Sequence, residues 1–164
     1  MIDDQNELFI VVDEQDNILG YRSRYDCHHD KTLIHRSIGI AIYNDKGEIL
    51  LQKRSNQKDT HPGKYSMSVG GHVTKGQSYE EAAYREMLEE LGIKSELTFA
   101  KNFLSRSDVE TEMVSLYTTT YNGPFHIAKD EVEEVCFFTK EAITKLQDKI
   151  TPASILELQQ LKIA

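Results

Sequence analysis

Apolar residues near the start of the chain form short runs separated by polar turns. The run at residues 8–12 is apolar and β-branched, breaks at 13–17 and resumes at 18–21. This pattern predicts a hairpin of two strands, within an N-terminal unit covering about residues 8–24. The polar stretch that follows, residues 22–32, is interpreted as a loop or a short helix.

A second hairpin is predicted from strict alternation in the next apolar segment. Ile38, Ile40 and Ile42 alternate with small residues, which is typical of a strand with one buried face. Residues 44–47 then supply turn chemistry, and residues 48–52 return as a strand. Two hairpins in the first third of the chain indicate a sheet built largely from sequential strands.

The strongest helix signal covers residues 78–91. Ser78 is followed three residues later by Glu81, the spacing of a capping box, and Gly92 suits a left-handed C-terminal cap. An apolar stripe recurs at helical spacing between these limits. The stripe consists of Tyr79, Ala83, Met87, Leu88 and Leu91. An amphipathic helix is therefore predicted here.

The remaining elements give the fold class. A short strand is predicted at residues 65–69, ending at Gly70 and Gly71, because glycines interrupt strands. Further strands are predicted at residues 98–105, 112–121 and 134–138, and helices at 140–147 and 152–161. Hairpins mixed with one central and two late helices predict an α+β fold, an α/β/α sandwich. We expect a single domain over residues 1–164.

The net charge of the chain argues against some classes of binding partner. The chain has 19 Lys and Arg against 27 Asp and Glu, a formal net charge of −8. This sign opposes binding to nucleic acid or to an anionic membrane. The sequence also lacks a long uncharged apolar run, and its two cysteines are too few for a disulfide framework. We therefore expect a cytoplasmic protein with no stable nucleic-acid or membrane partner, and a homodimer stays open.

Three glutamates on the predicted helix are candidate metal ligands. Glu86, Glu89 and Glu90 are spaced i, i+3 and i+4, so their side chains share one helix face. Such carboxylates repel one another unless a cation, a nearby base or water compensates. Hard oxygen donors so placed suit Mg²⁺ or Mn²⁺, although an acidic face exposed to water would have the same pattern.

The surrounding residues resemble the Nudix box, G-x5-E-x7-R-E-U-x-E-E-x-G-U with U aliphatic. The run from Gly71 to Ile93 matches it without insertion, except that Gln77 replaces the first glutamate. The matching positions are Gly71, Arg85, Glu86, Met87, Glu89, Glu90, Gly92 and Ile93. The resemblance implies a Nudix fold, with a mixed sheet and a loop-helix-loop catalytic cassette at residues 71–93.

The same resemblance implies roles for the box residues. The carboxylates of Glu86, Glu89 and Glu90 and the carbonyl of Gly71 would bind Mg²⁺ or Mn²⁺, with Arg85 orienting them. The expected reaction is attack of water on one phosphorus of a diphosphate linkage, in a nucleoside diphosphate derivative or similar small molecule. Glu89 is the first candidate for general base, and Glu112 and Glu131 are alternatives outside the box.

Shorter motifs over residues 8–161 look like the branch that contains isopentenyl diphosphate isomerase. That enzyme uses histidines and a Glu-x-Glu pair for metal binding and acid/base chemistry. Here His35, His72, Glu110 and Glu112 match, which suggests a second metal or acid/base site. His28 or His29 would supply a further histidine. Each of these residues also has an ordinary structural interpretation, as a buried histidine or an exposed strand edge.

One mismatch argues against isomerase activity. Gly70 stands where the isomerase has its catalytic cysteine, so one of the two acid/base groups needed for allylic isomerisation is missing. An isomerase-like protein and a noncatalytic Nudix ligand-binding module nevertheless remain as alternatives, the second suggested by Gln77.

Basic residues at predicted strand ends are candidates for holding the distal phosphate of the substrate. They are Lys53, Arg54 and Lys64, with Arg22 or Arg24 approaching from the first hairpin. Exposed cations that bind nothing would explain the same residues equally well.

Overall fold

A computed structural model describes residues 3–164; Met1 and Ile2, the start of the predicted domain, lie outside the described residues. The strands are β1 (Leu8–Val12), β2 (Ile18–Ser23), β3 (Ile34–Tyr43), β4 (Ile49–Arg54), β5 (Tyr65–Ser66), β6 (Val69–His72), β7 (Thr98–Arg106), β8 (Thr111–Thr120) and β9 (Val132–Phe138). The helices are α1 (Arg24–His29), α2 (Tyr79–Leu91), α3 (Lys140–Lys145) and α4 (Pro152–Gln160), with a 3-10 turn at Gln147–Lys149.

Strand β3 is the centre of a mixed sheet. Strands β1, β4 and β6 pair with it in antiparallel orientation, and β8 pairs with it in parallel. The register places His35 opposite Glu112 of β8 and Ser37 opposite His72 of β6. The pairing of β3 therefore brings together polar residues that are far apart in the sequence.

The apolar residues divide into clusters on the two faces of this sheet. Leu50 enters the cluster that includes Ala83, Met87 and Leu91 of α2. Its neighbour Leu51 enters a second cluster, which is completed by residues of α3 and α4. Because successive strand residues point to opposite faces, the sheet separates α2 from α3 and α4. The predicted α+β sandwich is confirmed.

Local signals predicted α2 accurately. The Ser78 hydroxyl accepts a hydrogen bond from the Glu81 amide, and the Glu81 carboxylate accepts one from the Ser78 amide. Gly92 closes the helix with φ of 64°, a left-handed conformation that favours glycine. The predicted capping box and C-terminal cap are both confirmed.

Two sequence expectations need adjustment. The strand predicted to end at Gly70 and Gly71 instead continues through both glycines, which pair with Gly39 and Ile38 of β3. The polar stretch after the first hairpin contains the short helix α1, whose N-cap is Ser23. Among residues 3–164, no helix is long and apolar enough to cross a membrane.

Candidate active site

A cavity of about 430 Å³ opens beside β6 and α2. It is lined by box residues of α2, by the turn before β8, by the N-terminal segment and by the first turns of α4. Its lining includes Gly71, Glu86, Glu89, Glu90, Glu110, Glu112, His72 and Arg85. The structure thus places both sets of predicted site residues, the box and the isomerase-like group, around one cavity.

The box carboxylates, defined as Glu86, Glu89 and Glu90, lie at one wall of this cavity. A Cβ atom added to Gly71 would be 2.3 Å from Cδ of Glu86, so only glycine allows this approach. Glu90 is 7% exposed and its carboxylate accepts a hydrogen bond of 2.7 Å from Nε2 of Gln52. Oε2 of Glu90 is buried and has no hydrogen-bond partner among the described residues.

Arg85 organises this wall. Its Nη1 lies 3.0 Å from Oε1 of Glu86 and 3.2 Å from Oε2 of Glu89. Its Nη2 donates to the carbonyl of His72 at 3.2 Å and to Oε1 of Gln77 at 3.0 Å. The amide oxygen of Gln77 therefore accepts from Arg85 without carrying the negative charge that a glutamate at this position would bring.

Two of the box carboxylates, Glu86 and Glu90, are buried, and keeping them charged costs free energy without a cation. Burial raises the pKa of Glu86 to about 7, although Arg85 opposes the shift. Burial and the neighbouring Glu86 raise the pKa of Glu90 well above its usual value. An unpaired buried oxygen beside a second carboxylate is the environment that a divalent cation stabilises. The box carboxylates therefore fit a metal site.

The second group is the histidine cluster, defined as His28, His35, His72 and Glu110. Their ligand atoms all lie within 4.8 Å of one another. Nε2 of His35 is 3.4 Å, and Nε2 of His72 3.7 Å, from Oε2 of Glu110, and His28 contacts the same oxygen. The two nitrogens of His35 and Oε2 of Glu110 nevertheless lack well-directed hydrogen bonds. Atoms that converge without pairing fit metal ligation.

The electrostatics of the histidine cluster differ from residue to residue. Burial lowers the pKa of His72 to about 3. Burial of His28 favours its neutral form, but the nearby carboxylates of Asp59 and Glu110 outweigh this effect and raise its pKa to about 9. The three histidines hold the pKa of Glu110 well below its usual value, against the effect of burial. The ring of Phe9 stacks on His72 with centroids 4.1 Å apart, which fixes one ligand's orientation.

Glu112 lies at the edge of the histidine cluster. Its Oε2 is 3.9 Å from Nε2 of His35 and 4.0 Å from Nε2 of His72. Burial and the charge of Glu110 raise the pKa of Glu112 to about 8. Of the two histidines that the sequence left open, His28 joins the cluster, whereas His29 is exposed and stacks on Tyr25.

The structure brings only part of the predicted basic set to the cavity. Arg54 is among the lining residues, and its guanidinium donates to the carbonyl of Thr60 at 3.0 Å. Lys53 and Lys64 are not among the described lining residues. Since Gln52 reaches Glu90, its neighbour Lys53 points to the other side of β4, where it lies 3.5 Å from Glu133.

Two other cations line the cavity, and only one of them was considered from the sequence. Arg24 donates to both oxygens of Asp59 at 3.0 Å. Lys58, which no motif indicated, lies 2.9 Å from Asp3 and 2.7 Å from Glu131. Arg22 is exposed and its guanidinium donates to the carbonyl of Tyr21. The phosphate-binding candidates supported by position are Arg24, Arg54 and Lys58.

Comparison with known proteins identifies the family. The model of the NUDIX domain matches residues 33–159 of the chain. The chain belongs to the Nudix family. A Nudix hydrolase of Yersinia pestis is 37% identical over 150 residues, which cover 90% of this chain and 81% of that protein. Its homologues make this Nudix protein a Nudix-type hydrolase.

Two further similarities agree with the sequence analysis. An isopentenyl-diphosphate Delta-isomerase of Photorhabdus laumondii is 31% identical over 134 residues, covering 79% of this chain and 75% of the isomerase. The crystal structure of DR0079 from Deinococcus radiodurans matches with a TM-score of 0.81 and 21% identity, covering 96% of this chain and 99% of that one. The latter match shows a shared Nudix fold.

Proposed function

We propose that this Nudix protein is a Mg²⁺- or Mn²⁺-dependent hydrolase that cleaves the diphosphate linkage of a nucleoside diphosphate derivative or similar small molecule. The observation that carries the proposal is the unpartnered buried oxygen of Glu90, next to Glu86 and Gly71, in the cavity that also contains Arg24, Arg54 and Lys58. Acidic and basic groups on one cavity suit a cation and a polyanion together.

The box residues would hold the metal. Its ligands would be the box carboxylates and the carbonyl of Gly71. When bound, a divalent ion shields phosphate oxygens and lowers the pKa of a water. Arg85 keeps Glu86 and Glu89 oriented through its paired contacts. Arg24, Arg54 and Lys58 bind the distal phosphate and position the linkage for in-line attack.

The proton of the attacking water goes to a carboxylate. The water oxygen forms a bond to one phosphorus, and the bridging P–O bond breaks with its electron pair going to the leaving phosphate oxygen. Each of the two products keeps one phosphate group, so the leaving group is phosphate or a phosphorylated product. Glu89 is the first candidate for the base because its side chain is 58% exposed and lines the cavity. Glu131 is held more tightly, because Nζ of Lys58 lies 2.7 Å from its carboxylate whereas Nη1 of Arg85 lies 3.2 Å from that of Glu89. Glu112 is buried beside the histidine cluster.

The histidine cluster would hold a second divalent ion. Imidazole ligands suit Mn²⁺ or Zn²⁺ better than Mg²⁺, whereas the box offers only oxygen. Glu112 would then complete the ligand set or act as an acid/base group. The similarity to an isomerase supports allylic isomerisation as the alternative reaction. Against it, the residue at the position of the isomerase's catalytic cysteine is Gly70, which lines the cavity but has no acid/base group.

A substrate screen tests this function. Purified protein is incubated with nucleoside diphosphates, dinucleotides, nucleotide sugars and prenyl diphosphates, with Mg²⁺ or with EDTA. We expect metal-dependent release of phosphate or of a phosphorylated product from at least one class. Isomerisation of a prenyl diphosphate without phosphate release would favour the isomerase alternative. No turnover with any class would favour a ligand-binding module.

A further inference from the structure

A glutamate of α4, remote in sequence from the box, reaches the same cavity. Glu157 is 8% exposed and belongs to the cavity lining together with Ala153 and Ser154. Burial and repulsion by Glu110 act on its carboxyl group, and no hydrogen bond or ion pair with any of residues 3–164 offsets them. The carboxyl group therefore depends on what fills the cavity for its remaining solvation, and a ligand that enters the cavity must supply a polar partner in place of water.

The position of this carboxyl group is fixed by its surroundings. A Cβ added to Gly39 of β3 would lie 2.5 Å from Oε1 of Glu157, so the carboxyl group occupies the space that this glycine leaves open. The helix is anchored at its start: the hydroxyl of Ser154 accepts from the amide of Met67 at 3.0 Å, and the amide of Thr151 donates to the carbonyl of Tyr65 at 2.9 Å. Glu157 is therefore held against the sheet.

The cavity lining contributed by α4, by strand β3 and by the segment from β5 to β6 is mostly small or polar. It includes Ser37, Ser66, Gly70, Ala153 and Ser154, and Ile38 and Met67 add apolar surface. A Cβ at Gly70 would meet only the carbonyl of Ile38, at 3.9 Å, so the wall between Gly71 and this region is open. A hydrocarbon chain in this part of the cavity would leave the Glu157 carboxyl group without a partner, whereas a polar group of the ligand would satisfy it.

We propose that Glu157 is a specificity-determining residue that accepts a hydrogen bond from an amino or hydroxyl group of the moiety attached to the diphosphate. The substrate is then a nucleoside or sugar derivative and not a prenyl diphosphate. This inference rests on the proposed function, because it assumes that the diphosphate lies at the box carboxylates. Burial and the charge of Glu110 raise the pKa of Glu157 to about 8. In its protonated form a carboxyl group can donate a hydrogen bond as well as accept one.

Equilibrium binding tests the proposal without requiring turnover. The probes are methylenediphosphonate and methylene-bridged analogues of nucleoside diphosphates, nucleotide sugars and prenyl diphosphates, each with Mg²⁺. The variants are Glu157→Ala, Glu157→Gln, which keeps size and hydrogen bonding, and Glu157→Leu. Glu141→Ala, an exposed position on α3, is the matched control. Thermal unfolding of each variant shows that it is folded, and Glu157→Ala is compatible with a helix interior.

The expected pattern is selective. Glu157→Ala weakens binding of the best nucleoside or sugar analogue by about tenfold or more, Glu157→Gln retains most of the affinity, and methylenediphosphonate is unchanged. Glu157→Leu strengthens prenyl analogues relative to polar ones. One series of nucleoside diphosphate analogues differs only in the base, and a second series differs only in the sugar. Comparing their affinities identifies which group donates the hydrogen bond to Glu157.

Other results would overturn the proposal. One is that the wild type binds no nucleoside or sugar analogue more tightly than methylenediphosphonate. Another is that Glu157→Ala leaves every affinity unchanged, or weakens methylenediphosphonate equally. If selective binding depends on Glu157 but no analogue's parent compound is hydrolysed, the proposed catalysis is wrong and the specificity role stands.

Discussion

The box carboxylates and the histidine cluster lie on one cavity but are assembled differently. A single helix supplies all the box carboxylates, at spacings that place them on one face. The histidine cluster takes one residue each from α1, β3, β6 and the turn before β8. The first arrangement is visible in a short stretch of sequence, whereas the second exists only once the sheet has formed.

The negative charges of the two groups are compensated differently. Among the box carboxylates, burial and mutual repulsion raise the pKa values of Glu86 and Glu90, so nearby cationic side chains do not compensate their negative charge fully. In the histidine cluster, the imidazoles surround Glu110 and hold its pKa low. The box therefore depends on an external cation, while the histidine cluster can take up either a metal ion or protons.

Replacing a glycine should separate the two groups most clearly. In Gly71→Ala the new Cβ would lie 2.3 Å from Cδ of Glu86, so the carboxylate must move. We expect hydrolysis to fall by about 100-fold, as when metal ligands lose their orientation. Gly70→Ala is the matched control for folding, since its Cβ would meet only a carbonyl oxygen at 3.9 Å. Kinetics and thermal unfolding are the measurements, and full activity in Gly71→Ala would show that Glu86 does not bind metal.

Lowering the pH should weaken Mn²⁺ binding at the box. The raised pKa of Glu86, about 7, means that below this value a proton occupies the group and must leave before metal binds. The dissociation constant should therefore increase by about tenfold or more for each pH unit below about 7, because the pKa of the second ligand Glu90 is raised as well. Titration with Mn²⁺, followed by electron paramagnetic resonance in a variant lacking His28, isolates the box. Affinity that does not change with pH would contradict this description of Glu86.

Lys58→Met should weaken substrate binding more than Lys53→Met. Lys58 lines the cavity, whereas Lys53 lies outside the described lining. We expect Lys58→Met to lower kcat/KM for the diphosphate substrate by about tenfold, the value of one charge-assisted hydrogen bond, with the larger part of the change in KM. A larger effect of Lys53→Met would instead favour the assignment made from sequence. Circular dichroism checks that losing the contacts of Lys58 with Asp3 and Glu131 leaves the fold intact.

Substitutions of two adjacent histidines test whether the histidine cluster binds a metal ion. His28 belongs to the cluster, and His29 is exposed beside Tyr25. His28→Gln should bind one Mn²⁺ or Zn²⁺ ion fewer than the wild type, because it removes one converging nitrogen. We expect a reduction in turnover of only about fivefold to tenfold, since the box carboxylates remain. Metal content after equilibrium dialysis decides the question. Equal content in His28→Gln and His29→Gln would show that the cluster binds no metal.

Gln77→Glu should have the smallest effect. Oε1 of Gln77 already accepts from Arg85 at 3.0 Å, so restoring the charge of the family's glutamate strengthens an existing contact. Activity should change by less than about fivefold. A gain of several orders of magnitude would mean that Gln77 disables this protein and would support the ligand-binding alternative.

The sequence predicted features that are determined by neighbouring residues in the chain better than features that depend on contacts between distant residues. The helix α2, its caps and its shared carboxylate face follow from residues within one short segment, and all are confirmed. The choice between His28 and His29 depends on which side of α1 faces β3, and Lys58 reaches the cavity through a loop whose path no local pattern specifies. The position of Glu157 in the cavity could not be predicted from the sequence, because it depends on the packing of α4 against Gly39. The single-domain organisation, homodimer and cytoplasmic location stay predictions.

Metal-dependent attack of water at the box carboxylates is tested most directly by hydrolysis in water enriched in ¹⁸O, using the substrate found by screening. With Mg²⁺ or Mn²⁺, we expect one product phosphate group to carry the label. Both turnover and label should be lost with EDTA or in Glu90→Gln, while Glu80→Gln on the exposed side of α2 should resemble the wild type. Labelled product that forms equally well in Glu90→Gln, or without any divalent cation, would contradict this mechanism.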